Sequence, residues 1–511
     1  MSMFGVGSGP LRHAALACVC MLWALSACGD DGEADDRRPV GGDGGVDAGL
    51  DAGAMASDAP PGVVVRELEG GGGIFLGEAM APELPDGWVE QELSIAAEAV
   101  SYEAEGMLPA DGFFELTAAD RADYRTRVVV RRPPAAEFGG TVVVEWLNVS
   151  GGVDANPDYA FLKEELLRSG VVWVGVSAQH IGVEGGPVLV STPASEAAGA
   201  GMGLKARDPE RYGELAHPGD AFAYDIYTQV ARALRGEGAE ALLGGLEAER
   251  ILAVGESQSA YMLTTYANGV QPLERAYDGF LIHSRGGGRA PLGEVDSGIN
   301  LVSGITAPAT RIRTDLEAPV LILQTETDML FTLNYFPARQ PDSDRLRTWE
   351  VAGTAHADAF LLGAMAEAQG CPEPINAGPL HFVAKAALRH LDRWVALGEA
   401  PPAGTPLEVD GMPPALSRDA DGIALGGIRT PHVDAPVDVL SGAPPGGSIA
   451  CSLFGSTLPL GPERLAELYA SREDYLAAYD EAAGAVIDAG FVLEEDREAL
   501  LADADPERAA P

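Results

Sequence analysis

Beyond residue 62 the chain alternates short apolar runs with longer stretches in which apolar and polar positions recur at helical spacing. The runs 141–147 (TVVVEWL), 171–176 (VVWVGV), 250–254 (RILAV), 279–282 (GFLI) and 320–323 (VLIL) are mostly aliphatic, and 347–351 (RTWEV) is a weaker member. Strands buried on both faces read this way, without polar alternation. Segments 88–102 and 125–130 carry β-branched and alternating residues and predict an earlier β-rich part. Amphipathic helices are predicted over 158–169, 220–234, 259–266 and 379–397. Strands alternating with helices argue an α/β architecture, a mostly parallel sheet covered by helices on both faces.

Two long Gly/Pro-rich stretches, 181–218 and 284–318, interrupt this rhythm and read as surface loops or cap-like insertions. Residues 400–450 are irregular. Residues 462–505 look helical, with Leu465, Leu468, Tyr469, Tyr475, Ala478 and Tyr479 at helical spacing. We read 63–505 as one domain whose C-terminal extension packs on the core. The acidic stretch from Glu494 and the tail 506–511 are expected to be solvated.

The first 62 residues follow another pattern. Residues 14–27 are apolar, preceded by Arg12 and His13, and too short to span a bilayer. The run ends in Leu25-Ser26-Ala27-Cys28, which resembles the lipobox of bacterial lipoproteins. The resemblance implies a signal peptide over 1–27, cleavage before Cys28 and a lipid on its thiol. Ordinary cleavage after Ser-Ala, leaving a free Cys28, is the alternative. Residues 29–62 hold nine acids, two arginines and repeated Gly and Ala. Such a segment cannot bury enough apolar surface to fold, so 28–62 reads as a disordered acidic linker. Its Asp/Gly pattern is too short and irregular for a calcium-binding repeat. The protein is then expected to be exported and held on a bacterial membrane, at the outer membrane or cell surface. In that oxidising setting Cys371 and Cys451 could pair in a disulfide or stay as separate thiols.

Charge narrows the partners. Over 511 residues, 34 Lys+Arg face 77 Asp+Glu, a net charge of −43. Nucleic acid is excluded as a partner, because nothing here supplies a basic face to displace counterions. Anionic headgroups would also repel the body, so the lipid on Cys28 must do the holding. Hydrophobic residues at 46% and charged residues at 22% suit a folded domain with a sizeable core.

Candidate chemistry sits where the 250–254 strand meets the 259–266 helix. Gly255-Glu256-Ser257-Gln258-Ser259 has a small residue two before and two after a serine, as a nucleophile elbow requires. In a chain this rich in Gly and Ala, roughly one chance match is expected. Gly446-Gly447-Ser448-Ile449-Ala450 is such a decoy, with no strand before it and no helix after it. In this arrangement an acid and then a histidine follow the serine in chain order. His356 stands in a small-residue loop just after the 347–351 strand, where an imidazole can reach a neighbouring strand end. The acid should leave the strand before, at Gln324-Thr325-Glu326-Thr327-Asp328, with Asp328 favoured and Glu326 as the alternative acid. Asp358 lies too near His356 in sequence and reads as a loop carboxylate.

These three segments resemble the α/β-hydrolase superfamily. More narrowly, the chain is similar to a group of mostly exported microbial alpha/beta hydrolase domain proteins. That likeness extends to Glu145-Trp146-Leu147-Asn148-Val149-Ser150-Gly151-Gly152, Tyr224-Asp225-Ile226, His283-Ser284-Arg285-Gly286-Gly287 and Gly426-Gly427-Ile428-Arg429-Thr430-Pro431, within about residues 63 to 505. It implies an α/β-hydrolase fold and a Ser257–Asp328–His356 triad, but no particular substrate. The oxyanion should be met by the backbone N–H of Gln258 and by one near Asn148 or Val149. His283 and Arg285 follow another strand end and either line the pocket or, for Arg285, form a structural ion pair. The expected function is a serine hydrolase acting on small carboxylic esters. A peptidase, depolymerase or lactonase uses the same triad, and a non-catalytic lipoprotein using the fold as a binding module is the rival class. No metal and no cofactor are expected.

Overall fold

The computed structural model describes residues 62–77, 83–300, 302–443 and 446–509. The candidate signal peptide, Cys28 and all but the last residue of the linker lie outside the described residues. The apolar runs assemble into one nine-stranded sheet. Its strands are β1 (Val64–Glu67), β2 (Val89–Ala104), β3 (Leu116–Arg132), β4 (Thr141–Trp146), β5 (Val172–Val176), β6 (Arg250–Glu256), β7 (Gly279–His283), β8 (Val320–Thr325) and β9 (Leu346–Val351). They lie in the order β1-β2-β3-β5-β4-β6-β7-β8-β9. β5, β4, β6, β7, β8 and β9 run parallel, and β1 to β3 form an antiparallel flank.

The period of two explains why these runs show no polar alternation. Along β4, Val142, Val144 and Trp146 face one core while Val143 faces the other. β6 divides likewise, with Ile251 and Ala253 against Leu252 and Val254, and so does β8, with Val320 and Ile322 against Leu321 and Leu323. Both faces are buried, so both sets must be apolar. Each such side chain contributes about 2 kcal/mol of burial, and a charge at any of them would break the layer. Helix α1 (Pro157–Arg168) covers one face. α2 (Ala223–Arg235) and α3 (Gln258–Thr265) pack on the opposite face, through Tyr227, Val230 and Met262. Farther along the chain, α4 (Glu326–Met329) is a single turn at the end of β8. α5 (Leu380–Leu397) joins α1 on its face, the two helices contributing Leu162, Leu166, Leu388 and Leu391. α5 stops at Gly398, whose left-handed φ of 74° lets its N–H turn back to Trp394 O. α1 starts where Glu145, on β4, accepts the N–H groups of Asp158 (3.0 Å) and Tyr159 (2.9 Å). An acceptor there satisfies two of the N–H groups left free at the start of the helix.

Two expectations need correction. β3 begins at Leu116, well before residue 125, because the β2–β3 hairpin runs past the core: residues 117–121 are exposed and carry no apolar signal. The stretch from Glu494 is not simply a solvated tail. Asp496 is 3% exposed and sits 2.9 Å from Arg168 Nη1 and 3.0 Å from Lys385 Nζ. The tail forms a short turn (Pro506–Ala509) with Ala509 buried against Tyr475 and Tyr479. Burying a carboxylate is costly, and these cationic partners compensate it. Of the C-terminal helices, α7 (Arg472–Asp488) packs on the core through Ala483, Val486 and Ile487, whereas α6 (Pro462–Leu468) buries Leu465 in a smaller cluster with Tyr469, Tyr475 and Tyr479.

Cys371 and Cys451 form a disulfide with Cα atoms 5.5 Å apart. It ties the segment after His356 to the turn Cys451–Phe454, whose Leu453 O accepts the N–H of Ala357 at 3.1 Å. The 181–218 insertion folds over the loop after β4, with Leu189 and Val190 N–H on Ser150 O and Gly201 N–H on Gly152 O.

Candidate active site

Ser257 lies between the last residue of β6 and the first of α3, with φ 60° and ψ −117°. A non-glycine residue held there is strained, and the surrounding strand and helix must impose the conformation. Gly255 permits their approach: a Cβ on it would stand 2.9 Å from Leu263 Cδ1 and 3.1 Å from Ser259 Cβ. The decoy Ser448 is used structurally, its Oγ accepting the N–H of Cys451.

The carboxyl ends of β8 and β9 bring an acid and an imidazole to this serine. His356 Nε2 lies 2.7 Å from Ser257 Oγ, and its Nδ1 lies 2.7 Å from Asp328 Oδ1. Asp328 Oδ2 accepts the N–H (2.7 Å) and the hydroxyl (2.8 Å) of Thr325, so the carboxylate is oriented from behind. Glu326 does not reach the imidazole. Its Oε1 accepts Gly353 N–H (2.6 Å), and its Oε2 meets Arg418 (2.7 Å) and Gly442 N–H (3.0 Å). The three side chains therefore stand in one line, Asp328–His356–Ser257. Burial works against a charge on His356, but the neighbouring Glu256 and Asp328 outweigh it and hold its pKa above the usual imidazole value.

The predicted oxyanion donors separate. The N–H of Gln258 is the first amide of α3, with no carbonyl one turn back in the helix to accept it. Val149 N–H makes only a long contact, 3.4 Å, to Gln258 Oε1. Asn148 is not available: its amide is spent on Ala155 O at 2.8 Å, and its side-chain Nδ2 donates to Glu256 O at 3.0 Å. The short antiparallel bridge between Asn148 and Ala155, seven positions apart, fixes this loop.

Arg285 forms no ion pair among the described residues. It is fully buried and donates to backbone carbonyls, the shortest at Thr310 O (2.6 Å). His283 pairs with Asp158, Nδ1 to Oδ1 at 2.9 Å. Asp358 is buried and caps the turn Ala359–Leu362 through Leu361 N–H. His381 stacks on Phe360, and burial drives its pKa down to about 4.

Sequence reasoning overlooked Glu256. It is 4% exposed, and its Oε1 lies 3.3 Å from His356 Nε2. Burial pushes its carboxyl up to about 7, and the charges of His356 and His283 pull the other way. Its one local signal was position, directly before the serine in a buried strand. Among the described residues no cluster of three His, Cys, Asp or Glu could hold a metal ion, and no helix is long and apolar enough to cross a membrane. A cleft of about 410 Å³ beside Tyr277, Asp278 and Pro319 opens at the amino ends of β7 and β8 and holds no nucleophile.

The family described as alpha/beta hydrolase domain matches residues 64–502. No curated protein matches the chain. Among solved structures, an esterase from Pseudomonas putida is 13% identical, covers 61% of this chain and 84% of its own, and superposes with a TM-score of 0.30. An esterase from Rhizomucor miehei is 14% identical over 59% of this chain and 84% of its own, at 0.29. An alpha-beta serine hydrolase homologue from Coxiella burnetii is 13% identical over 48% of this chain and 89% of its own, at 0.27.

Proposed function

Since the chain belongs to the alpha/beta hydrolase domain family, we propose that it is a serine hydrolase that cleaves small carboxylic esters through Ser257, His356 and Asp328. One observation carries this reading: the 2.7 Å and 2.7 Å contacts that line up the serine, the imidazole and the acid at the carboxyl ends of β6, β9 and β8. Neutral His356 accepts the Ser257 proton at Nε2 as Oγ attacks the ester carbonyl carbon. Asp328 accepts the Nδ1–H bond, fixes the tautomer and stabilises the imidazolium. The negative oxygen of the tetrahedral adduct is met by the N–H groups of Gln258 and Val149. Each donor is worth about 3 kcal/mol in the transition state. Val149 N–H must first leave Gln258 Oε1, and its long contact makes that exchange easy. The alkoxide departs with the proton from His356. Water, deprotonated by the same imidazole, then splits the acyl-enzyme into acid and free serine.

The substrate acyl group is carried on Ser257, so a fluorophosphonate probe should label the purified protein and fail to label Ser257→Ala. Labelling that persists in Ser257→Ala, or none in the parent, refutes the reading. Turnover of p-nitrophenyl esters of graded chain length, beside peptides and polyesters, separates an esterase from other users of a triad.

The place of action is part of the same proposal. The lipobox-like Cys28 and the acidic linker support an exported protein anchored by lipid to a bacterial membrane, with the body held clear of anionic headgroups. The Cys371–Cys451 disulfide suits an oxidising compartment.

A further inference from the structure

The mechanism leaves one buried acid without a task. Glu256 directly precedes the nucleophile, and its Oε1 reaches the same Nε2 of His356 that faces Ser257. Its other oxygen stands 3.5 Å from Asn148 Nδ2. In register with it on β7 is His283, fully buried, with Nδ1 on Asp158 and Nε2 without a hydrogen-bond partner. Glu256 is therefore flanked by two histidine–aspartate dyads, His356–Asp328 and His283–Asp158. A buried carboxylate is costly without compensation, and here the compensation comes from the two imidazoles and one amide.

We propose that Glu256 is a positioning residue that couples the two dyads, so that the buried His283–Asp158 pair influences whether His356 carries a proton. The inference rests on the triad reading given above. An ionised Glu256 beside Nε2 favours the imidazolium that forms when Ser257 gives up its proton. The same contact keeps a proton on the resting imidazole to higher pH, where it blocks the base. Four charged groups face Glu256: His356, His283, Asp158 and Asp328. Asp358 stands next in line, within reach of the charge of His283. Glu256 and the two imidazoles this close to it titrate together rather than singly.

The test is ring NMR of ¹⁵N-histidine-labelled full-length protein across pH, with His356 assigned by its loss in His356→Gln. It is paired with the pH dependence of the fluorophosphonate labelling rate. In the unmodified protein the His356 signal should show two inflections, its own and that of Glu256; a single inflection overturns the coupling even if no variant folds. Glu256→Gln keeps the shape and removes the charge. It should shift both the His356 midpoint and the acid limb of labelling to lower pH, by roughly one unit. His283→Gln should move the His356 midpoint in the parent background and not in Glu256→Gln. An unmoved midpoint in Glu256→Gln, or an undiminished His283→Gln effect in that background, overturns the proposal. If the parent is not labelled at all, the hydrolase reading fails, and the NMR titration still decides the coupling.

Discussion

Glu326 and Asp328 leave the end of one strand two residues apart and hold a single loop from two sides. Asp328 faces the imidazole of His356, whereas Glu326 ties the backbone of Gly353 and the guanidinium of Arg418. The same carboxylate chemistry thus serves orientation in one case and anchorage in the other.

Asp328→Asn should therefore lower kcat/KM by about 10³- to 10⁴-fold, by favouring the wrong tautomer of His356, with little change in stability. Glu326→Gln should behave in the opposite sense. It leaves half-buried Arg418 without its counter-charge and should cost about 1–2 kcal/mol of stability, while the folded protein keeps activity within tenfold. Ester turnover and urea unfolding of both variants check this. A Glu326→Gln protein as inactive as Asp328→Asn would reverse the assignment.

Asp358 makes stability depend on pH. Burial raises its carboxyl from 3.8 to about 7, and Leu361 N–H opposes the rise. A raised folded pKa means that the folded state binds the proton more tightly. The contribution is complete below about pH 4 and is lost as pH climbs through about 7. Asp358→Asn keeps an acceptor for Leu361 N–H and abolishes the titration. Relative to the parent, the variant should gain roughly 2–4 kcal/mol between pH 4 and pH 8. Urea unfolding at both pH values measures it, and an equal stability difference at the two would contradict it.

The disulfide closes a loop across a sequence separation of 80 residues. Replacing both cysteines by serine should cost about 4 kcal/mol if loop-closure entropy governs its effect. Because Ala357 and Leu453 are hydrogen-bonded beside it, the His356 loop should loosen first. We expect the urea midpoint to fall and heat inactivation to quicken, with kcat/KM at 25 °C reduced only a few-fold. The comparison is made under non-reducing conditions.

Cys28→Ser should release the protein from the membrane fraction of a bacterial host, whereas the parent should need detergent. Incorporation of labelled fatty acid into the parent but not the variant is the direct readout. Membrane retention of the variant would rule out the lipid anchor.

The sequence by itself determined the features that depend on short-range physics. A strand buried on both faces is mostly aliphatic, so the parallel core strands announced themselves. The elbow needs small residues within five positions, so Gly255, Ser257 and Ser259 were legible, and the chain order of the triad then led to His356. What tertiary structure decided was of longer range. The sequence favoured Asp328 but left Glu326 open as the acid, and the positions of Arg418, Gly442 and His356 separate the two. Asn148 drops out as a donor because Ala155 takes its amide, and Asp496 is buried because Arg168 and Lys385 come to it from other helices. Glu256 acquires its significance from imidazoles that arrive 27 and 100 positions later in the chain. Burial of a charge depends on partners brought from a distance, and no local pattern of residues records them.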